Sequence, residues 1–430
     1  MSYTLGDLRR ILHIPYRLLA FSPSSLPRYG ALPKSEADCE RFHSLEKHDV
    51  LVGEMEHSTR DRSSHPFRRT IWSIVVLVGF IVTLTMHRQY ANDHRQLASI
   101  QNSTLGFQQI FAIGMPDRKH KHDAQLLAAQ QTGLKLTFAR GVPWKEVPEN
   151  EWIDDTKIQE TKNHGAGLIG AWRAHMDVLE RIVEEDIQTA LIIEDDADWD
   201  VFVKEQMPAF AEAVLALQGT RPGSSKTSPY GDDWELLWPG ACQLAKALDD
   251  QYYVVDNDTT AAPPWHRWLW YGGPEELSRK NTRITFRPSY AVCTTAYAVT
   301  NAAARKLLAR VGLHAFKDAH DTQFGRMCGG VDNEPPLKCY TTWPPLFAMH
   351  RFEGLNAKDS DIWGQGAGSH PEYSFSLVYS AIRNIPRIQW GNDTVVSQYE
   401  DVDEVTVAID KKHQFYGTIQ TVRKVEQKEG

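Results

Sequence analysis

The chain has 430 residues, of which 24% are charged and 42% are hydrophobic, and its formal net charge is −8 at pH 7. This composition is typical of a folded globular protein, and the length allows about two or three domains. The negative balance gives no support for nucleic-acid binding, so no nucleic-acid partner is expected.

One apolar segment is long enough to cross a bilayer, residues 70–86 (TIWSIVVLVGFIVTLTM), and it contains no charge. Its length is at the short end for a transmembrane helix. The alternative is a buried helix of a soluble protein, but Ile, Val and Leu surround the segment without a polar stripe. More arginines precede it than follow it, so the positive-inside rule places the N-terminus in the cytosol. The arginines before it are Arg60, Arg62, Arg68 and Arg69, and those after it are Arg88 and Arg95.

These features predict a single-pass type II protein of the Golgi or endoplasmic reticulum membrane, with its large domain in the lumen. Glycosylation sequons at Asn102, Asn257 and Asn392 would all be lumenal. The predicted order is a mostly disordered cytosolic tail (1–69), a transmembrane helix (70–86), a stem (87–106), a folded domain (107–400) and a polar C-terminal tail (401–430).

The folded domain is predicted to begin with a strand, a turn, a helix and a second strand, a pattern that indicates a parallel, right-handed unit. The elements are Gln109–Ile113, Asp123–Thr132 and Leu134–Phe138. A glycine-rich loop (165–170) and a helix (171–185) follow, with Trp172, Met176 and Leu179 on its buried face and Arg173 and His175 off that face or at its edge. Further on, the sequence predicts helices at 203–217, 301–310 and 318–328, a loop at 219–233, and strands at 234–238, 290–299 and 339–343.

The most informative stretch is residues 189–200 (TALIIEDDADWD). Leu191, Ile192 and Ile193 predict a short strand buried on both faces, and five carboxylates then occur within seven residues. Ligands of open α/β sheets bind at the carboxyl ends of strands. Crowded carboxylates repel each other unless a cation joins them, and such oxygen ligands suit Mg²⁺ or Mn²⁺. A solvated acidic turn is the alternative.

Two other features have competing interpretations. The tryptophan-rich segment Pro263–Tyr271 (PPWHRWLWY) is either an exposed aromatic surface, of the kind that stacks on sugars or a base, or a hydrophobic plug under a loop. The four cysteines that follow residue 86 allow three pairings, of which Cys328 with Cys339 is the one we predict, because the loop between them is short.

Several motifs together resemble glycosyltransferase family 25, which includes bacterial lipooligosaccharide glycosyltransferases, collagen galactosyltransferases and many fungal members. The motif GAWRAH (170–175), followed by LIIEDDADWD (191–200), carries most of the resemblance. The segments AYAVT (296–300) and ARKLL (304–308) resemble a later strand–helix unit of the family. The segments WPPLF (343–347) and SDI (360–362) resemble the end of the domain in fungal members. The resemblance covers residues 109–362.

The resemblance implies an α/β, GT-A-like (Rossmann-like) fold and an inverting, metal-dependent reaction, with Mn²⁺ as the common metal. The donor would be a nucleotide sugar such as a UDP-sugar, the sugar galactose or another hexose, and the acceptor a glycan or glycoprotein. The alternatives are a catalytically weak or inactive, lectin-like or scaffolding relative with the same fold, or a metal-dependent lumenal hydrolase.

The resemblance also implies roles for individual residues. Asp321 is the candidate base and Asp195 a further catalytic residue. His350 is a candidate metal ligand, and the alternative is that it is a structural histidine. The family pattern is altered at Gly114, where Asn is common, and at the Lys119–His122 turn. The implied donor-binding residues are Pro116, Arg118, Arg173, His175, Glu194 and Asp195, and the implied metal ligands are Asp196, Asp198 and His350.

Overall fold

The structure is a computed structural model that describes residues 66–151, 166–331, 334–355, 362, 368–402, 405–406 and 416–422. The predicted cytosolic tail (1–69) therefore lies almost entirely outside the described residues, as does most of the predicted C-terminal tail.

The N-terminal described element is a single long helix, α1 (Pro66–Ala98), of 33 residues. The part Trp72–Gln101 contains an 18-residue window that is apolar enough to span a membrane, and none of that window is buried against the rest of the described residues. The hydroxyl of Thr83 donates to the carbonyl of Gly79 at 2.8 Å, so the side chain is satisfied within the helix, as a lipid environment requires. The helix continues through most of the predicted stem, and at its end Gln96 Nε2 donates to the carbonyl of Pro229. This helix is compatible with a single-pass membrane anchor.

The domain is built on a mixed sheet, which has nine strands within the described residues, in the order β19-β7-β9-β12-β5-β11-β3-β1-β2. The neighbours β2, β1 and β3 are parallel, which confirms the predicted parallel unit, whereas β11 runs antiparallel to both β3 and β5. The strands of this sheet are β1 (Gln109–Gly114), β2 (Thr137–Arg140), β3 (Thr189–Glu194), β5 (Leu236–Trp238), β7 (Ala247–Asp256), β9 (Thr282–Pro288), β11 (Ala296–Thr300), β12 (Cys339–Trp343) and β19 (Tyr416–Thr421).

Helices cover both faces of this sheet. Ile192 packs in one hydrophobic cluster with Trp172 and Met176, whereas its neighbours Leu191 and Ile193 pack in the other. Because successive strand residues point to opposite faces, the fully buried run of β3 is explained by these two layers. The helices are α2 (Lys119–Thr132), α3 (Gly167–Glu184), α4 (Val203–Leu217), α5 (Asn301–Leu307), α6 (His320–Gly329) and α7 (Ile385–Gln389), and a π turn (Leu308–Gly312) follows α5.

Short strands form smaller sheets beside the main one. The strand order is β10-β6-β8 in one of them and β16-β13-β4 in another, and β14 pairs with β15 and β17 with β18. Short 3-10 turns lie at Ser99–Gln101, Trp144–Glu146, Glu149–Glu151, Pro264–His266 and Glu275–Leu277. The strands are β4 (Ala197–Trp199), β6 (Gln243–Ala245), β8 (Trp270–Gly272), β10 (Ala291–Val292), β13 (Phe347–Arg351), β14 (Gly354–Leu355), β15 (Ser369–His370), β16 (Tyr373–Ser374), β17 (Thr394–Val395) and β18 (Val405–Thr406).

Several predicted boundaries are wrong in ways that shape the site. Helix α3 begins at Gly167, within the predicted glycine-rich loop. Position 170 lies inside this helix and must be a glycine, because a Cβ there would stand 2.2 Å from the carbonyl oxygen of Val142. The predicted strand 290–299 is interrupted at Cys293, whose φ is +69°, a conformation that L residues rarely adopt. The strand β19 occupies part of the predicted polar tail and pairs with β7.

Other predictions are confirmed. Helix α4 has the predicted bounds, and Thr300 caps α5 by accepting a hydrogen bond from the backbone N–H of Ala303 at 3.1 Å. A disulfide joins Cys328 to Cys339, as predicted, and a second disulfide joins Cys242 to Cys293.

Candidate active site

A pocket of about 620 Å³ lies at the carboxyl ends of β1 and β3. Its wall includes the first residues of α2, α3 and α6, the segment 141–145 after β2, the turn between β10 and β11, and the last residue of β13. A volume of this size is within the range of small-molecule sites. Its position matches the rule that open α/β sheets bind ligands beyond the carboxyl ends of their strands.

The acidic residues that end β3 face this pocket together with cationic side chains. Asp195 Oδ1 accepts from the ammonium of Lys121 at 3.0 Å, and its Oδ2 accepts from the backbone N–H of Met115 at 3.3 Å. Asp196 Oδ2 accepts from the guanidinium of Arg351 at 2.7 Å. These contacts bring the ends of β1, β3 and β13 and the first turn of α2 to one point.

The electrostatics of Asp196 differ from the expectation of a self-repelling cluster. Burial opposes ionisation of this carboxyl group, but Lys121, Arg351 and Arg118 more than offset that penalty and hold the pKa of Asp196 below its ordinary value. Lys121 and Arg351 therefore supply within the protein the positive charge that the crowded carboxylates were expected to need from outside. Asp196 Oδ1 is buried and makes no hydrogen bond with any residue that the structure describes.

Glu194 belongs to a polar network in the wall of the pocket. The hydroxyl of Thr294 donates to Glu194 Oε1 at 2.6 Å and is 2.8 Å from His320 Nε2. His175 Nε2 is 3.4 Å from the same carboxylate oxygen, and its Nδ1 is 2.9 Å from the hydroxyl of Tyr297. Burial raises the pKa of Glu194 to about 7, and the nearby Asp196 carboxylate adds to the rise.

The two histidines of this network are held neutral. Their rings stack with centroids 4.2 Å apart, and both are buried. Burial lowers the pKa of His175 to about 3 and that of His320 to about 3. One ligand atom from each of His175, Glu194 and His320 lies within 4.8 Å of the others, so the group could hold a metal ion. His175 therefore belongs to the buried network rather than to the edge of α3 predicted from the sequence.

Asp321 lies in the first turn of α6 and lines the same pocket. Its Oδ2 accepts from the backbone N–H of Cys293 at 2.9 Å, and its Oδ1 accepts from its neighbour's N–H, that of Thr322, at 2.7 Å. The left-handed backbone of Cys293 directs that N–H toward the carboxylate, and the disulfide to Cys242 and the bond from Trp238 Nε1 to the Cys293 carbonyl hold the turn. The orientation of Asp321 is thus fixed from two elements.

The structure brings most of the predicted donor-side residues to this pocket. Arg118 lines it together with His175, Glu194 and Asp195, and Pro116 lines a smaller adjoining cavity that also includes Arg118 and Asp195. Arg173 lies outside the described lining of both cavities and pairs with Asp177 at 2.7 Å on the surface of α3.

The predicted metal ligands do not lie together. Asp196 faces the pocket, whereas Asp198 and His350 are buried beside each other, 3.9 Å apart, and neither belongs to the described lining. The hydroxyls of Ser374 and Ser380 donate to Asp198 Oδ2, and the first of these hydroxyls is 2.9 Å from His350 Nδ1. The backbone N–H groups of Trp199 and Ile382 donate to Asp198 Oδ1. The metal roles of Asp198 and His350 stay predictions.

Sequence reasoning missed several residues of the site. Lys121 lies in the first turn of helix α2, where the sequence predicted a turn with an altered family pattern. Its type and its place after β1 were visible signals for an anion partner. Arg351 pairs with a residue 155 positions away, and Thr294 with one 100 positions away, so no local pattern marks either. His320 is adjacent to the predicted base and could have been included with it.

The geometry defines an α/β protein whose sheet carries a polar pocket of alternating charge at the carboxyl ends of its parallel strands. Residues 107–317 match the family model described as glycosyltransferase family 25 (LPS biosynthesis protein). This segment contains β1, β3, the acidic residues and Thr294, and it ends shortly before α6. The segment belongs to glycosyltransferase family 25, and the protein is a glycosyltransferase.

Proposed function

We propose that the protein is a membrane-anchored hexosyltransferase of the GT-A type, which inverts the anomeric centre and depends on a divalent metal, with Mn²⁺ as the expected ion. The donor is a UDP-sugar, and the acceptor is a glycan or a glycoprotein. The single observation that carries this proposal is the meeting of Glu194, Asp195 and Asp196 with Arg118, Lys121 and Arg351 in one pocket of about 620 Å³.

The charges of this pocket suit a nucleoside diphosphate. Arg118, Lys121 and Arg351 place positive charge where the diphosphate of a donor would lie, and arginine binds phosphate oxygens in a bidentate manner. The leaving diphosphate gains negative charge in the transition state, and fixed cations in a site shielded from water stabilise that charge strongly.

The residues present fit a divalent metal. Asp196 Oδ1 is a buried carboxylate oxygen without a hydrogen-bond partner among the described residues, and oxygen ligands are those that Mn²⁺ and Mg²⁺ prefer. Asp196 would hold the ion, with Glu194 and Asp195 beside it. A bound metal supplies Lewis-acid neutralisation of the diphosphate. Asp195 itself orients Lys121 and the end of β1 through its hydrogen bonds.

Inversion requires a base that takes the proton of the acceptor hydroxyl. Asp321 is our candidate because it faces the pocket and is held by backbone N–H groups at both oxygens. Each carboxylate oxygen has a second lone pair, so this side chain can still accept the proton of an incoming hydroxyl.

We also propose that α1 anchors the protein as a type II membrane protein of the Golgi or endoplasmic reticulum with the domain in the lumen. The exposed apolar surface of α1 supports a membrane anchor, and the arginines before its apolar segment 70–86 support this orientation.

A donor screen tests the proposed function. The purified full chain, in detergent, is incubated with a panel of UDP-, GDP- and CMP-sugars, with Mn²⁺ or with EDTA, and release of the nucleotide is measured. We expect Mn²⁺-dependent turnover of a UDP-sugar. Arg118→Ala should raise the donor KM about 10- to 100-fold, because a hydrogen bond to a charged group contributes about 1.5–3 kcal/mol.

The matched control is Arg305→Ala, an exposed arginine on α5 that bonds Asn301 within its own helix. It should leave the donor KM unchanged. Equal turnover in EDTA would contradict metal dependence, and equal effects of the two arginine variants would contradict the assignment of the donor site.

A further inference from the structure

The tryptophans of the tryptophan-rich segment are exposed, which contradicts the alternative of a hydrophobic plug for these side chains. Trp268 is 67% exposed and Trp270 is 56% exposed, whereas Trp172, Trp199, Trp238 and Trp343 are fully buried. Exposing large indole rings to water is unfavourable, and grouped exposed apolar side chains mark interaction sites.

Trp268 is fixed in place although it is exposed. Its indole stacks on the ring of Tyr373, with centroids 5.4 Å apart and an angle of 22°, and meets Phe375 edge to face at 5.9 Å. Its backbone N–H donates to the hydroxyl of Ser376 at 3.3 Å. The ring is therefore a rigid surface that loses little conformational entropy when a ligand covers it.

Trp270 is also positioned by its surroundings. Its ring lies over Gly272, where a Cβ would stand 2.7 Å from the indole carbon Cη2. Glycine is the residue that permits this contact, so the position of the exposed indole depends on it.

Short strands place both tryptophans close to the donor pocket. Tyr373, on which Trp268 stacks, pairs directly with Arg351 of the pocket wall.

Trp270 pairs with Gln243, and Gln243 pairs with Val292, the residue before Cys293 of the pocket wall. Neighbouring strands are about 4.8 Å apart, so the main chain of Trp270 is roughly 10 Å from that of Val292. A short oligosaccharide spans such a distance.

Exposed polar groups lie close to these rings. Glu372 precedes Tyr373, and its side chain is 38% exposed. Nearby in the same segment, Trp265 Nε1 donates to Asp401 Oδ2 at 2.8 Å. Flat rings separated by polar groups suit a ligand with apolar C–H faces and hydroxyl edges, which is the character of a sugar ring. A lipid or an apolar peptide would favour a continuous apolar patch.

We propose that Trp268 and Trp270 bind sugar rings of the acceptor, so that the acceptor is an oligosaccharide or a molecule that already carries one. This inference rests on the proposed placement of the donor in the pocket beside Arg351. Trp268 and Trp270, which lie beyond the pocket, would then select an acceptor that carries carbohydrate over an unglycosylated side chain.

Binding to immobilised ligands tests this inference. The full chain in detergent is applied to an array of oligosaccharides, to unglycosylated serine- and hydroxylysine-containing peptides, and to phosphatidylcholine vesicles. We expect retention by a group of oligosaccharides only. Trp268→Ala and Trp270→Ala should each weaken it about tenfold or more, as loss of an aromatic anchor does. Gly272→Ala should weaken it as well, by displacing the indole of Trp270.

The matched control is Trp390→Ala, because Trp390 is 87% exposed at the end of α7 and has no part in the aromatic segment. The inference would be overturned if all four variants retained oligosaccharide binding, or if the wild type bound no oligosaccharide. Tryptophan-dependent binding to peptides or vesicles would overturn it as well. Binding of UDP to the same samples is measured separately. Absence of UDP binding in every sample, including the wild type, would contradict the donor site and not the acceptor surface.

Discussion

Two groups of carboxylates from one acidic stretch have opposite environments. Glu194, Asp195 and Asp196 lie at the carboxyl end of β3 in the pocket. Lys121 pairs there with Asp195 and Arg351 with Asp196, and one oxygen of Asp196 has no hydrogen-bond partner in the described chain. Asp198 and Asp200 lie a few residues further on, are fully buried, and use all of their oxygens as acceptors for backbone N–H groups and serine hydroxyls.

The backbone explains the difference. After Asp196 the chain turns into β4, which pairs with β13 and carries Asp198 toward the protein interior. There the carboxylate joins β4 to the segment 374–382 through its hydrogen bonds. The comparison teaches that a dense run of acidic residues does not mark one site. Each oxygen of Asp198 accepts two hydrogen bonds from the protein, whereas Asp196 Oδ1 accepts none from the described residues.

The largest effect on stability is expected for Asp198→Ala. It leaves the N–H groups of Trp199 and Ile382 and the hydroxyls of two serines without an acceptor in the interior. Breaking a buried charged network costs about 3–5 kcal/mol, which corresponds to a melting temperature lower by roughly 10 °C.

Thermal melting of the full chain in detergent measures this effect. Asp177→Ala is the control, since Asp177 is half-exposed and pairs only on the surface of α3, and it should change the melting temperature by about 2 °C at most. Equal melting temperatures for the two variants would show that the buried group is not structural.

A smaller, pH-dependent effect is expected at Asp200. Burial raises the pKa of this carboxyl group to about 7, although N–H groups of Phe202 and Tyr379 lower it in part. Because the folded-state pKa lies above the unfolded value, the protonated group's contribution to stability is present below about pH 4 and is lost as pH rises toward 7. The melting temperature of Asp200→Asn should therefore lie further below that of the wild type at pH 5 than at pH 7.5.

Melting curves of both proteins at several pH values give this difference directly, and titrations common to both proteins cancel. A difference in melting temperature that stays constant from pH 5 to pH 7.5 would contradict a raised pKa at Asp200.

Much of the fold follows from local patterns. The aliphatic run of β3 predicted its burial, and the bounds of α4 were predicted from the sequence. The parallel unit of β1 and β2 followed from the order of elements. The acidic end of β3 could be placed at a ligand site because that edge of an open sheet is where ligands bind.

The rest of the site depends on contacts between distant segments. The partner of Asp196 is Arg351, and the partner of Glu194 is Thr294, which reaches the pocket only because the chain breaks between β10 and β11. Asp196 and Asp198 are alike in sequence, and only the turn into β4 separates their roles. The exposure of Trp268 depends on the packing of Tyr373, which follows it by more than a hundred residues.

The central claim is that the end of β3 binds the donor diphosphate together with a metal, and titration calorimetry of UDP tests it most directly. UDP is titrated into the wild type, into Asp196→Asn and into the control Asp177→Asn, each with and without Mn²⁺. Removing the charge of Asp196 leaves Arg351 without its anionic partner and removes a favourable interaction with Lys121, so we expect the variant to lose about 1 kcal/mol of stability rather than to gain any.

We predict that Mn²⁺ tightens UDP binding to the wild type and to Asp177→Asn by at least about tenfold, and that this gain disappears in Asp196→Asn while the protein stays folded. The same gain from Mn²⁺ in Asp196→Asn as in the wild type would contradict the claim, because the metal would then be held without this carboxylate.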